Sequence, residues 1–262
     1  MRLSQGHLNL LEVCPRKFQH TYLEQLGSPN SWEQQERMLA GSWFHLLMQQ
    51  WDMGLPVEPF LQEDPQLRQW FQAFIAAAPK ILNLNDQTSR QSEHLRILDF
   101  NGHLLTGVYD LLILTEQEAQ ILDWKTYPKP LKSDRLSQSW QSRLYPFVLA
   151  ETSEFLPEQI SMTYWFFQAK GETGTSQSLR LPYSSAKHEE TRRDLTRLTN
   201  QLSEWLDRYE TQGTFFPQVP DTSEHCGECS FAIRCQRSQN DQEALSHSIN
   251  IENFAAIEEV PL

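Results

Sequence analysis

The sequence predicts an α/β fold, with a central mixed sheet of four to five strands flanked by helices. Three observations predict it. Apolar residues recur at helical spacing up to about residue 78 and in strand-like runs from Glu93 onward. Asn101-Gly102 separates two of those runs, and Asn-Gly is a strong short-hairpin signal. A helical segment and a further, very apolar strand then follow the third run.

The elements can be justified in order. Leu8, Leu11, Phe18 and Tyr22 keep helix-compatible spacing, interrupted at Cys14-Pro15, because proline can start a helical turn but not sit inside one. A second helix is expected over 33–51. A third, over 65–78, puts Leu67, Trp70, Phe71, Phe74 and Ile75 on one face, with Pro79 at its end. Strands are expected over 93–100, 104–114 and 119–127. Residues 138–150 read as a helix that Pro146 should kink or shorten. Ile160–Gln168 reads as a buried strand despite its aromatic run Tyr164-Trp165-Phe166-Phe167, which could otherwise stack bases. A Gly-containing turn, a strand over 178–182 and a long helix over 186–212 follow, the last with Leu195, Leu198, Leu202, Leu206 and Tyr209 inward. Residues 1–235 are expected to form a single domain, and 236–262 a loosely held acidic tail.

Composition sets bounds. A chain of 262 residues with 8 Trp and 14 Phe can build a sizeable core. Arg2, Gln5 and His7 break up the N-terminal stretch, so it does not read as a signal peptide. No run approaches the roughly 20 apolar residues of a membrane helix. A cytoplasmic, soluble protein is expected. The net charge of −12 argues against a protein that coats nucleic acid non-specifically. It does not exclude a nuclease, whose metal-binding carboxylates add negative charge by necessity.

Polar motifs interrupt the apolar runs. Asp110 closes Gly107-Val108-Tyr109-Asp110 at the opening of one run, and Asp123 and Lys125 lie in Ile121-Leu122-Asp123-Trp124-Lys125-Thr126. Buried charge is costly without a partner. Alternate strand residues share a face, so Asp123 and Lys125 project together with Ile121. A short turn over 115–120 can bring Asp110 and Asp123 to one end of a sheet. Such a pair suits a divalent metal with a lysine beside it. In Gln141-Ser142-Arg143-Leu144-Tyr145, Gln141 and Tyr145 are four apart and share a helical face. Arg135 and Arg143 suit either a phosphate or solvent, and the basic stretch Lys187, Arg192, Arg193 and Arg197 fits a solvated helix face. Cys226-x-x-Cys229-x5-Cys235 and the distant Cys14 are free-thiol candidates for one metal centre. Zinc and an iron–sulfur cluster both remain open on these residues alone.

Asp110, Asp123-x-Lys125 and Gln141-x-x-x-Tyr145 together resemble the PD-(D/E)XK nucleases, in particular their RecB-like branch. Gly41-Ser42-Trp43-Phe44-His45 is similar to that branch's glycine-then-histidine element. Cys14-Pro15-Arg16-Lys17-Phe18 is similar to the opening of its iron–sulfur members, such as AddB and the CRISPR-associated RecB-like nucleases. The resemblance spans residues 5–235 and implies a restriction-endonuclease-like core. It implies Mg²⁺ or Mn²⁺ held by His45, Asp110, Asp123 and the carbonyl of Trp124, with Lys125 positioning water and offsetting transition-state charge. Gln141 and Tyr145 would orient the DNA strand and the lysine. Cys14, Cys226, Cys229 and Cys235 would hold a [4Fe–4S] cluster, with structural Zn²⁺ as the rival.

The function implied is a metal-dependent deoxyribonuclease, of exonuclease type, acting on single-stranded DNA or DNA ends in repair or CRISPR-related processing. No G-x-x-x-x-G-K-[ST] motif occurs, so a helicase, like a CRISPR-adaptation subunit, would be a separate partner. The alternative is a non-catalytic DNA-binding or complex-assembly subunit. Its mark would be loss of Asp110, Asp123 or Lys125, and all three are present.

Overall fold

A computed structural model describes residues 1–27, 32–77, 88–128, 133–168, 177–220, 223–227 and 229–237. Pro79, the turn after Gln168 and the expected tail from 238 onward lie outside them.

The N-terminal strand β1 (Arg2–Leu3) precedes α1 (Gln5–Val13), α2 (Pro15–Phe18) and a π-helical turn, Gln19–Leu23. Cys14 is extended (φ −162°), and Pro15 opens α2, so the break falls at the dipeptide that forces it. Three helices follow: α3 (Trp32–Asp52), α4 (Glu58–Glu63) and α5 (Pro65–Ala77). Next come β2 (Ser89–Phe100), β3 (His103–Leu114) and β4 (Ala119–Pro128), then α6 (Ser133–Ser137) and α7 (Trp140–Glu151). The chain continues through β5 (Ile160–Gln168), β6 (Gln177–Pro182) and α8 (Ser185–Gln212).

Among the described residues the sheet is mixed and has six strands. β2 pairs antiparallel along β3, from Ser89–Leu114 to Phe100–His103. β2 therefore fills one edge of β3, and β1 and β4 share the other. β1 runs parallel to β3 at Leu104 and Leu105, while β4 pairs antiparallel only with Leu111 to Leu114. β4 and β5 are parallel, with α7 in the connection, and β5 and β6 are antiparallel. The sixth strand, β1, is two residues long, too short to carry a detectable period.

Each sheet face carries its own apolar cluster. Leu105, Tyr109, Leu112, Ile121, Met162, Tyr164 and Phe166 pack with α1, α7 and α8. Leu111, Ile113, Leu122, Trp124, Trp165 and Phe167 pack with α3 and α5. The aromatic run of β5 divides between the two faces by strand alternation and is wholly buried. In α8, Ser184 caps the first turn by accepting from the Lys187 N–H, and Gly213 (φ 65°) ends the helix in the left-handed region that favours glycine.

The expectation that Pro146 shortens its helix needs correction. Helix α7 runs unbroken through it. Interior proline costs about 3 kcal/mol. Here the helix is buried almost throughout from Trp140 to Leu149, and its packing outweighs that cost.

Candidate active site

Asp110 is not at a strand end but in the interior of β3. It sits where alternation breaks: Leu105 and Tyr109 belong to one cluster, Leu111 and Ile113 to the other. On β2 the facing residue, Glu93, has φ 48°. The ladder skips this pair, although Ser92–Leu111 and His94–Tyr109 keep one register on either side. Both strands buckle here, and both carboxylates leave the regular pleat.

The β3–β4 ladder also stops here. Its last pair is Leu111–Leu122. Beyond it the Trp124 N–H donates to Asp110 Oδ2 at 2.6 Å, a side chain standing in for a ladder carbonyl. The Trp124 ring anchors in the α3/α5 cluster. Asp123 and Lys125 therefore project to the opposite face, toward α7. Lys125 Nζ lies 2.6 Å from Asp123 Oδ2 and donates to Gln141 Oε1 at 2.9 Å. Gln141 Nε2 donates to Asp123 Oδ1 at 2.6 Å, which closes a triangle. One turn on, the Tyr145 hydroxyl meets the Gln141 side chain and the Val108 backbone, and its carbonyl accepts from Tyr109 Oη at 2.9 Å. Gly107 makes room for this packing. A Cβ there would lie 3.1 Å from Tyr109 and 3.2 Å from Tyr145.

His45 reaches in from α3. Its Nδ1 is 3.3 Å from Asp110 Oδ1 and 3.8 Å from Glu93 Oε1. Its Nε2 donates to the Trp124 carbonyl at 3.2 Å. Gly41, one turn earlier, brings the helix close to β4, since a Cβ there would lie 3.3 Å from Thr126 Oγ1. Burial works against charge on His45, but Asp110 and Glu93 outweigh it and raise its pKa to about 10. Burial, then the neighbouring Asp110, pushes Asp123 up. Lys125 is raised despite burial, because Asp123 holds its proton.

His45, Asp110, Asp123, Lys125, Gln141, Tyr145 and the Trp124 carbonyl thus lie together. Glu93 joins them and was missed by sequence reasoning. Its carboxylate oxygen lies with an imidazole nitrogen of His45 and a carboxylate oxygen of Asp110 inside a 4.8 Å group, and it enters only because a left-handed residue interrupts β2. This donor set fits a divalent cation. Hard carboxylate oxygens and one imidazole are ordinary Mg²⁺ or Mn²⁺ ligands. Buried Asp123 Oδ2 also lacks an aligned hydrogen bond, although the Lys125 ammonium is beside it.

A family model described as the PD-(D/E)XK nuclease superfamily matches residues 2–236. The chain belongs to that superfamily. A solved chain from Eubacterium rectale, named as a candidate exonuclease, overlays this nuclease fold with a TM-score of 0.55 at 11% identity. The overlay covers 95% of this chain and 94% of the other. A second solved chain, SSO0001, overlays with a TM-score of only 0.35, at 11% identity over 76% of this chain and 75% of its own, and carries no argument. A search of curated protein sequences found no match.

The PD-(D/E)XK chain has a second polar centre. Cys14, Cys226, Cys229 and Cys235 line one cavity of about 290 Å³, together with Lys17 and His225. Burial raises the Cys235 thiol pKa. No three of these sulfurs lie within 4.8 Å of one another; among the described residues only His45, Glu93 and Asp110 form so tight a group. The segments that carry Cys14 and the C-terminal cysteines also meet through protein contacts, since the Arg16 N–H donates to the Pro217 carbonyl and Arg16 Nε to that of Phe216. Arg143 is engaged by Asp194 and lies over the Trp140 ring. Among the described residues no helix is long and apolar enough to cross a membrane.

Proposed function

We propose that this chain is a metal-dependent deoxyribonuclease that hydrolyses phosphodiester bonds in single-stranded DNA or at DNA ends. One observation carries the reading: the Asp123–Lys125–Gln141 triangle stands beside the His45–Glu93–Asp110 donor group. Asp110, Asp123, His45, Glu93 and the Trp124 carbonyl would hold Mg²⁺ or Mn²⁺. That ion supplies Lewis acidity toward a phosphoryl oxygen. Lys125 does the rest of the electrostatic work. Asp123 keeps it protonated, Gln141 fixes its direction, and its ammonium orients the attacking water and offsets charge on the phosphoryl group. Tyr145 braces Gln141 from the next turn.

We further propose that the four cysteines hold a [4Fe–4S] cluster. All four line one cavity, where a single centre would collect them, and the motif resemblance favours a cluster over tetrahedral zinc. The free thiols suit a reducing, cytoplasmic setting. A role in repair or CRISPR-related processing, beside a separate helicase or adaptation subunit, rests on the motif resemblance alone.

The test is a fluorescent oligonucleotide, single-stranded or blunt duplex, with Mn²⁺ or Mg²⁺. Wild type should cleave it, EDTA should stop the reaction, and Asp110→Asn should be inactive. A folded, metal-supplied wild type that cuts neither substrate would leave the DNA-binding or assembly-subunit reading in its place.

A further inference from the structure

Affinity for a DNA strand ordinarily comes from cations on its phosphates. Several cations of the sheet and of α7 are already engaged within the fold. Arg90 pairs with Asp52, Arg96 donates to Thr152, Lys125 pairs with Asp123, and Arg143 with Asp194. With a net charge of −12, the chain gains from a contact to the strand that is not electrostatic.

Tyr127 is placed to supply it. It is the second residue past Lys125 on β4 and is 44% exposed on a strand whose preceding residues, Ile121 to Trp124, are buried. The β4–β5 pairing slips at this point: Lys125 faces Phe166, but Pro128 faces Gln168, so β4 carries one extra residue. Such bulges re-aim side chains and are over-represented next to active sites. The Tyr127 ring rests edge-on against buried Phe166, with centroids 5.9 Å apart and planes at 65°. Lys125 Nζ lies 6.0 Å from its centroid. The ring is therefore held from below, open to solvent, and next to the ammonium assigned to the reacting phosphate.

We propose that Tyr127 is a stacking platform for an unpaired nucleobase next to the scissile phosphate. The inference rests on the nuclease reading and gives it a substrate preference. An aromatic face accepts any base, so the contact selects unpaired over paired DNA without selecting sequence.

The experiment compares wild type, Tyr127→Leu and Tyr127→Phe with Mn²⁺ on two single strands, one ordinary and one made of abasic units. Circular dichroism checks that each variant is folded. Tyr127→Leu should raise KM for the ordinary strand about tenfold or more and leave kcat nearly unchanged. Tyr127→Phe should behave as wild type. On the abasic strand all three proteins should share one high KM. An unchanged KM for Tyr127→Leu on the ordinary strand would overturn the proposal. So would an equal loss of kcat on both strands, which would make Tyr127 only a support for Lys125. A wild type inactive on both strands would remove the nuclease reading, and this inference with it.

Discussion

Asp110 accepts the backbone N–H of Trp124 at 2.6 Å, and through that bond a carboxylate of β3 holds β4 where the two strands have stopped pairing. The same aspartate turns its other oxygen to His45 at 3.3 Å. A single side chain thus fixes the strand that carries Asp123 and Lys125 and orients the histidine.

Lys125→Ala should lower strand cleavage by about a hundredfold or more, the usual cost of losing a group that stabilises transition-state charge. Folding should survive, because Gln141 still donates to Asp123. Single-turnover cleavage with saturating Mn²⁺ measures the loss. Wild-type rates from the variant would remove Lys125 from the chemistry.

Metal should stabilise the fold. Binding at 100 times Kd adds about 2.7 kcal/mol, and Mn²⁺ should raise Tm accordingly. His45→Ala and Glu93→Gln should each require more Mn²⁺ for the same rise, with excess Mn²⁺ partly restoring activity. A Mn²⁺ titration of Tm indistinguishable from wild type in Glu93→Gln would make Glu93 a structural residue only.

Gly107→Ala should disturb the site from a distance. Its methyl group would press on Tyr109 and Tyr145, both buried. Overpacking of this kind costs about 1–3 kcal/mol. Thermal denaturation should show the loss. Activity should fall further than in Gly102→Ala, a substitution strained at its φ of 74° but remote from the site.

Cys14→Ala should reduce iron content and thermal stability together. Thiolate ligation makes cluster binding part of the folding free energy, and a link between such distant positions is worth on the order of several kcal/mol. Anaerobically purified wild type should be brown, with about four irons per chain. Colourless protein with stoichiometric zinc would replace the cluster and leave the nuclease site standing.

Acid should weaken the N-terminal packing. His7 stacks on Tyr22 at 4.0 Å and meets Ser4 Oγ at 2.8 Å, and burial lowers its pKa from 6.5. As pH falls below 6.5 the unfolded chain takes the proton first. The stability tied to His7 is therefore full above that pH and is lost as pH drops through the lower, folded value. His45, raised, acts in the opposite sense. The difference in Tm between wild type and His7→Phe, followed from pH 7.5 to 5, isolates the His7 contribution and should shrink with acid. A constant difference would refute it.

Much of this was legible from residue order. The burial of the β5 aromatics was read from the strand itself, and α8 from its leucines. Asp123 and Lys125 share a face because β4 stays regular as far as Lys125. Glu93 was not legible. Nothing in its side chain marks the left-handed backbone that carries it out of the pleat, and read as an ordinary strand residue it has no link to His45. β1 hid for a different reason, since two residues have no period. Pro146 misled because local propensity yielded to burial on α7.

The parting of β3 from β4 sets folding against chemistry. A sheet gains by zipping every rung, and a valine at position 110 would favour that closure over the present opening. Repair of the seam would yield a sturdier protein with nowhere to place a phosphate. Closing the unzipped interval would add backbone bonds and give up the carboxylate that faces His45.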